Sequence, residues 1–323
     1  TEFESLGIDQ SGAGTFLAAI PYQFYAILAL CLIPVVAFGK HDFGFMAKAE
    51  YNARLGLPQE VTSDETVLVD DDKKVSPWNM ILPLIVLLAT ILIMFISWGF
   101  PFQNIAGSRI RIALTSGYLL ASITCMIMIV AQKLMSFKET FDVFIGGMQK
   151  MTSVLVIVVL AWGVGSVCDD LGTSEFIVDS TIGVITPHLV PALLFLIGVI
   201  VSFATGTSWG SMAILLPIGI NMAVAFEVSL PLTIGAVLSG CLFGDHCSPI
   251  SDTTVMSAMA AGNELLDHTR TQLPYAGIAA FASFLCYLVL GFTSANVWLM
   301  LVVGLVLIIV FYLILCKVWG VKA

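Results

Sequence analysis

The chain has 323 residues, of which 59% are hydrophobic and only 11% charged, and its formal net charge is −9. A soluble globular domain carries about 25% charged residues, so this composition excludes an ordinary soluble protein and indicates a membrane protein with several spans. The acidic balance argues against a nucleic-acid partner.

The predicted elements are apolar helices, each long enough to cross a hydrocarbon core of about 30 Å. A ninth crossing, around Asp245, is interrupted by polar residues and is predicted to consist of two half-helices. Because the apolar runs recur without a long linker, residues 1–323 are predicted to form one all-α membrane domain of about nine crossings. The uninterrupted spans are 16–38, 78–98, 112–131, 151–167, 189–204, 209–226, 273–290 and 297–316.

Thr1 opens the chain, with neither an initiating Met nor a signal-peptide pattern before the first span. We therefore expect the chain to be a fragment whose N-terminal part is missing. Residues 39–76 are polar and include Lys40, Lys48 and the acidic run 70–72. This stretch is predicted to be a solvated loop rather than a calcium site, because it lacks the EF-hand spacing.

Orientation follows from the lysines and arginines near the span ends, because cytoplasmic loops hold the excess of these residues. Residues 39–76 and 132–150 are the loops rich in lysine, and they fall on the same side of the membrane by parity. The loop between them holds only Arg109 and Arg111. Residues 39–76 are therefore predicted to be a cytoplasmic loop of a protein in the cell's inner (plasma) membrane.

A first polar cluster, residues 163–173, ends the predicted span 151–167 and contains the neighbouring carboxylates Asp169 and Asp170. Adjacent side chains on a helix point about 100° apart, so only one of the two can face a given cavity. Asp169 is a candidate for proton coupling. A solvated helix end followed by a turn at Gly172 explains the same residues, and the sequence leaves both interpretations open.

A second polar cluster, residues 204–211, holds Thr207 and Ser208 among several hydroxyls and glycines between two apolar runs. Hydroxyl and carbonyl oxygens are suitable ligands for a hard cation such as Na⁺. Close helix packing through small residues would give the same composition. If the helices are neighbours, this cluster is expected to face the polar segment around Asp245.

The third and most polar cluster is residues 244–254, GDHCSPISDTT, where two carboxylates lie between apolar runs. A carboxylate in hydrocarbon costs at least about 2.5 kcal/mol, so Asp245 and Asp252 require a compensating role. Gly244 and Pro249 both disfavour a continuous helix. The segment is predicted to break at Ser248–Pro249, and such breaks survive at membrane depth only where they are packed in protein or line a wet cavity.

These carboxylates suggest a mechanism. On an unbroken helix Asp245 and Asp252 would lie ~10.5 Å apart, and the break can shorten that separation. Burial disfavours a charged carboxylate and a bound cation favours it, so Na⁺ and H⁺ would compete for one site. The predicted ion-binding residues are the two carboxylates and the nearby hydroxyls: Asp245, Asp252, Ser248, Ser251, Thr253, Thr207 and Ser208.

His246 has a side chain that ordinarily titrates near physiological pH and is a candidate for tuning the pH response, although a histidine bonded to freed backbone is equally compatible. A metal site at Asp245, His246 and Cys247 would need further His or Cys ligands, so none is predicted. A hydrolase built on Ser248, His246 and Asp252 lacks a nucleophile elbow. We therefore expect a protein that is not an enzyme and has no cofactor beyond the transported Na⁺ and H⁺.

Three stretches, GDHCSPISDTT (244–254), TGTSWGSMAILLPI (205–218) and AWGVGSVCDDLGT (161–173), resemble the NhaC family of Na⁺/H⁺ antiporters. The resemblance covers residues 151–275 well and the upstream spans only in general character. It implies a secondary transporter with inverted repeats, a homodimer, and a chain that is the C-terminal part of a longer protein. Relatives in this family exchange malate for lactate or carry amino acids, so the resemblance does not fix the substrate.

Two functions therefore remain. The first is Na⁺/H⁺ antiport by alternating access, and the second is Na⁺- or H⁺-coupled transport or exchange of organic acids or amino acids. An organic anion would call for a cationic group in its cavity, and residues 151–261 contain no Lys or Arg. This absence favours the inorganic cation.

Overall fold

The computed structural model describes residues 12–39, 41–55, 76–100, 105, 107–171, 186–261 and 263–320. Within these ranges the chain is a series of α-helices, joined in two places by 3-10 turns at Ile20–Tyr22 and Pro187–Leu189. The helices are α1 Gly12–Ala19, α2 Phe24–Gly39, α3 Gly44–Arg54, α4 Trp78–Ser97, α5 Gly107–Ala131, α6 Phe137–Asp170, α7 Val190–Thr205, α8 Ser208–Ala225, α9 Leu230–Cys247, α10 Asp252–Ala261, α11 Leu265–Phe292 and α12 Val297–Trp319.

Seven helices in the described ranges are long and apolar enough to cross a membrane, and the bent pair Gly14–Tyr22 and Phe24–Gly39 brings the total to eight. The prediction of an all-α protein with several membrane spans is confirmed. The predicted span 151–167 is helical but forms the second half of the longer helix α6. Helix α9, which precedes the break after Asp245, is 18 residues long, or about 27 Å. It is therefore longer than the half-helix predicted for this crossing.

The chain divides into two compact units, Thr1–Asp64 with Val156–Ala323, and Glu65–Leu155, and the second of the two boundaries falls within α6. In the second unit α4 packs on α5, and the side chains of Asn79 and Gln132 hydrogen-bond to each other at 3.1 Å and 2.5 Å. All the helices that form the candidate site belong to the first unit.

Helices α7 and α9 of the first unit pack with their backbones in contact. A Cβ atom added to Gly240 would lie 2.2 Å from the carbonyl oxygen of Phe195, and one added to Gly244 would lie 2.5 Å from that of Val199. Only glycine permits this approach. The four-residue spacing of the two glycines is the small-residue motif by which membrane helices associate.

The predicted loop 39–76 begins with ordered structure, because residues 44–54 form helix α3. Phe43, at the start of α3, is fully buried, packs against the tilted ring of Tyr275 with centroids 4.4 Å apart, and forms an isolated β-bridge with Gly320. The Tyr275 hydroxyl donates to Asp42 Oδ1 at 2.6 Å. Aromatic packing thus fixes α3 to α11 and to the end of α12, a contact that the polar composition of this segment does not indicate.

Candidate functional site

The first helix break separates α7 from α8. Helix α7 ends at Thr205, and Gly206 adopts a left-handed conformation with φ 66°, which glycine tolerates without steric cost. Thr207 then has extended backbone, and its hydroxyl oxygen accepts a hydrogen bond from the Gly210 amide at 3.3 Å. This is the usual geometry of a helix N-cap, so Thr207 fixes the start of α8.

The second break separates α9 from α10 at the predicted position. Helix α9 ends at Cys247, Ser248 has extended backbone, and α10 begins at Asp252. The Ser248 amide donates to the carbonyl of Asp245 at 3.1 Å, which closes the last turn of α9. Pro249 has no amide hydrogen to continue the helix.

The two breaks lie against each other, as predicted. A Cβ atom on Gly206 would lie 2.9 Å from the carbonyl oxygen of Ile250, so the two turns touch through their backbones. Ser248 Oγ donates to the carbonyl of Phe203 at 2.8 Å. The C-terminal ends of α7 and α9 therefore meet, and the partial negative charge of helix C-termini favours a cation there.

Asp245 is the centre of this junction, with only 8% of its surface exposed. Its carboxylate accepts three hydroxyl hydrogen bonds, from Ser251 Oγ to Oδ1 at 2.7 Å and to Oδ2 from Ser208 Oγ at 3.2 Å and Thr253 Oγ1 at 3.3 Å. The three hydroxyls come from the start of α8, the turn after α9 and the first turn of α10. Both breaks thus supply groups to one carboxylate.

This arrangement can exchange a proton for a cation. A hydroxyl group has one donor hydrogen and two acceptor lone pairs, so Ser208, Ser251 and Thr253 can donate to an empty carboxylate or turn their oxygens toward a bound cation. The carboxylate itself can hold either a proton or the cation. One carboxylate and several hydroxyl oxygens form a ligand set suited to a hard ion that prefers oxygen.

The structure gives the other predicted hydroxyls and Asp252 different surroundings. Ser248 bonds to the backbone of Phe203 and Thr207 caps α8, so neither side chain bonds to Asp245. Asp252 opens α10 with an exposed side chain. Among the described residues its carboxylate has no hydrogen bond or ion pair, and an acidic group is stabilised at such a helix N-terminus. The prediction that it shares the ion with Asp245 stays untested.

The predicted pH-tuning residue, His246, lies beside the site and bonds to a helix far away in the sequence. Its Nδ1 atom is 2.5 Å from the hydroxyl oxygen of Tyr25 in α2, and the Tyr25 ring packs on Phe243 with centroids 5.2 Å apart. Gln272 Nε2 donates to the His246 carbonyl at 2.6 Å. Sequence reasoning missed both partners, because Tyr25 is one of several aromatic residues in an apolar helix and Gln272 is one of several polar residues in the first turns of α11.

Asp169 is at the end of α6, and its side chain lies outside the part of the chain that the structure describes. Its predicted role in proton coupling stays a prediction. Across the described residues, no group of three or more His, Cys, Asp or Glu side chains could hold a metal ion. Asp245 is therefore surrounded by hydroxyls and not by further metal ligands.

Comparison with known proteins gives a family for these motifs. The sequence profile of the Na⁺/H⁺ antiporter family matches residues 3–292, which include both breaks and Asp245. This match confirms the resemblance to Na⁺/H⁺ antiporters inferred from the three motifs. No solved structure gives a significant match.

Individual relatives include an uncharacterised protein of Haemophilus influenzae, 32% identical over 88% of this chain and 56% of its own length. The malate-2H⁺/Na⁺-lactate antiporter of Bacillus subtilis is 41% identical over 29% of this chain and 20% of its own length. The Na⁺/H⁺ antiporter NhaC of Alkalihalophilus pseudofirmus is 29% identical over 39% of this chain and 27% of its own length. The chain thus spans about half of the first relative and less of the other two.

Proposed function

The chain belongs to the Na⁺/H⁺ antiporter family, and on that premise we propose that it forms the ion-binding part of a Na⁺/H⁺ antiporter in which both ions compete for Asp245. The observation that carries this proposal is the buried Asp245 carboxylate with three hydroxyl donors from two broken helices. A proton and a bound Na⁺ each neutralise the carboxylate, so the site is occupied by one or the other.

The predicted ligands take three roles in this proposal. Ser208, Ser251 and Thr253 coordinate Na⁺ together with Asp245, because their hydroxyls already bond to its carboxylate. Thr207 and Ser248 hold the two breaks in shape through their backbone bonds. Asp252 attracts cations to the site from its exposed position at the start of α10.

The proposed cycle is alternating access, in which the site opens to one side of the membrane with Na⁺ and to the other with H⁺. His246 tunes the pH response through its bond to Tyr25, and Asp169 takes part in proton coupling. The protein acts as a homodimer in the plasma membrane and is a transporter rather than an enzyme.

The test is Na⁺-driven proton movement in proteoliposomes of the full-length protein, followed with a trapped pH dye. We expect Asp245→Asn to abolish the signal while the variant remains folded, as judged by its elution and thermal unfolding. Asp252→Asn is the matched control and should weaken exchange without abolishing it. Exchange at the wild-type rate in Asp245→Asn would overturn the proposal.

The alternative is exchange of an organic acid or amino acid coupled to Na⁺ or H⁺. It is favoured by the relative named a malate-2H⁺/Na⁺-lactate antiporter, which is 41% identical over 97 residues. The absence of Lys and Arg from residues 186–261, the segment that builds the site, argues against a bound organic anion. Adding malate or lactate to the same proteoliposomes distinguishes the two functions, because only the alternative predicts a signal that requires the organic acid.

A further inference from the structure

A cavity of about 560 Å³ lies at the end of the first unit opposite to Asp245. It is lined by residues next to the starts of α7 and α9 and the end of α11, including His188, Glu227, Leu232 and Leu290. Leu232 and Asp245 are on the same helix and 13 residues apart, which corresponds to about 20 Å. The cavity and the ion site are thus separated by the central part of α9.

Tyr287 lies between the cavity and the ion site, against the central part of α9. Its side chain is fully buried, and its hydroxyl oxygen lies 2.6 Å from the carbonyl of Tyr22, 2.9 Å from that of Gly235 and 2.7 Å from Ser239 Oγ. Leu290 and Leu232, which line the cavity together with Tyr22, are one helical turn from Tyr287 and Gly235 respectively. Tyr287 and its partners therefore lie directly behind this part of the cavity wall, and we call this layer the floor.

Two carbonyl groups in this floor share one hydrogen-bond donor. A tyrosine hydroxyl has a single hydrogen, and when Ser239 donates to it, that hydrogen must serve the carbonyls of both Tyr22 and Gly235. A shared hydrogen makes two weaker bonds than separate donors would. When the Tyr22 carbonyl moves away, the Tyr287 hydroxyl thus loses that bond but keeps its hydrogen on the Gly235 carbonyl.

One of those carbonyls belongs to a hinge. Tyr22 ends the segment Gly14–Tyr22, which meets Phe24–Gly39 at an angle of 48°. Gln23 between them has φ −78° and ψ 64°, outside the helical range. The floor therefore includes a point at which the backbone can bend without breaking a continuous helix.

The same hinge connects to the ion site. Tyr25 lies three residues after Tyr22 and bonds to His246, the neighbour of Asp245. Phe24, between them, packs edge-on against the Tyr287 ring with centroids 5.1 Å apart. A movement of the first turn of α2 would therefore act on Tyr287 and on His246 together.

We propose that the cavity is the ion entrance on the side opposite to α3, and that Tyr287 is the gate that closes it by holding the Tyr22 hinge against α9. This inference rests on the proposed function, because it supplies the second of the two access routes that antiport requires. Opening consists of the Tyr22 carbonyl leaving the Tyr287 hydroxyl as α1 and α2 change their angle.

The experiment measures labelling of Cys247, a buried neighbour of Asp245, in full-length protein that lacks the other cysteines. A membrane-impermeant thiol reagent is added to one side of proteoliposomes at a time, and Leu232→Cys in a separate sample identifies the cavity side. Removing the Tyr287 hydroxyl with Tyr287→Phe keeps the ring and should speed labelling from the cavity side about tenfold, as expected for ~1.4 kcal/mol. Labelling from the other side should not change.

Tyr312→Phe is the matched control, because it also removes a tyrosine hydroxyl from a backbone carbonyl, that of His41, but away from the floor. Ser239→Ala provides a second test that leaves every aromatic ring in place, and it should raise labelling from the cavity side by a smaller factor. Unchanged Cys247 labelling from the cavity side in both Tyr287→Phe and Ser239→Ala would overturn the gate. Labelling of Cys247 does not depend on Na⁺/H⁺ exchange. If Tyr287→Phe speeds labelling as expected but the wild-type protein shows no Na⁺/H⁺ exchange, the proposed function is wrong and the gate is not.

Discussion

Ser208 donates a hydrogen bond of 3.2 Å to the carboxylate of Asp245 across a sequence separation of 37 residues. The two residues belong to different broken helices, and each lies within the turn next to its break. This bond joins the start of α8 to the end of α9. It also places a neutral oxygen beside the acidic one, so the proposed Na⁺ site contains both kinds of oxygen.

Ser251→Ala should weaken Na⁺ binding more than any other single hydroxyl removal at the site, because Ser251 makes the shortest bond to Asp245, at 2.7 Å. A hydrogen bond to a charged group contributes ~1.5–3 kcal/mol, so the half-saturating Na⁺ concentration should rise about tenfold or more. Ser257→Ala, on the exposed side of α10, is the control. An unchanged Na⁺ requirement in Ser251→Ala would remove this residue from the ligand set.

Thr207→Val should lower stability rather than Na⁺ affinity, because the Thr207 hydroxyl caps α8. Loss of such a cap costs about 1 kcal/mol, which should appear as a lower midpoint in thermal unfolding of the purified protein. Thr207→Ser retains the capping oxygen and should unfold like the wild type. A raised Na⁺ requirement with unchanged stability in Thr207→Val would instead make Thr207 a direct ligand.

Docking of α3 should depend on pH through Asp42. Burial and the hydrogen bond with Glu50 raise the pKa of Asp42. The hydrogen bond with Asp42, together with the ion pair to Arg54, lowers the pKa of Glu50. Asp42 holds its proton more tightly in the docked state, so its contribution is present at low pH and is lost as the pH rises from about 3.9 through the raised pKa. Glu50 acts in the opposite sense, but its exposed side chain is screened by solvent.

Hydrogen exchange of the amides in residues 44–54, corrected for the intrinsic pH dependence of exchange, measures this docking. Protection should fall as the pH rises in the wild type. Asp42→Asn keeps an acceptor oxygen for the Tyr275 hydroxyl but cannot titrate, so its protection should be independent of pH. A pH-dependent loss that persists in Asp42→Asn would assign the effect to another group.

Gly240→Ala should destabilise the first unit, because the added methyl group would collide with the Phe195 carbonyl. Overpacking of this kind typically costs ~1–3 kcal/mol, measurable by thermal unfolding. Gly277→Ala is the matched control, because a Cβ at Gly277 meets no atom within 4 Å and alanine is the better helix former. Equal stability of the two variants would show that α7 and α9 can separate without cost.

The breaks were predictable because glycine, proline and polar residues at membrane depth leave a local signal, and residues 204–211 and 244–254 carry it. The directions in which the Asp245 and Asp252 side chains point were not predictable. The rotation of about 100° per residue holds only along a continuous helix, and the helix is interrupted at Ser248. The bond between Tyr25 and His246 joins positions 221 residues apart. No local pattern encodes such a pair. The packing of Phe43 against Tyr275 was not predictable for the same reason, because Phe43 lies in a polar segment far from Tyr275 in the sequence.

The backbone contact between α7 and α9 at Gly240 and Gly244 has a consequence for selectivity. Because α9 places no side chain between the two backbones at Gly240 and Gly244, main-chain contact sets the separation of α7 and α9 at these points, and with it the spacing of the two breaks. In the proposed site, an ion held between the breaks would meet the same distances whichever side of the membrane it came from. Discrimination between cations of different radius would then be equal in both directions of transport, and only the direction of the gradients would decide the net flow.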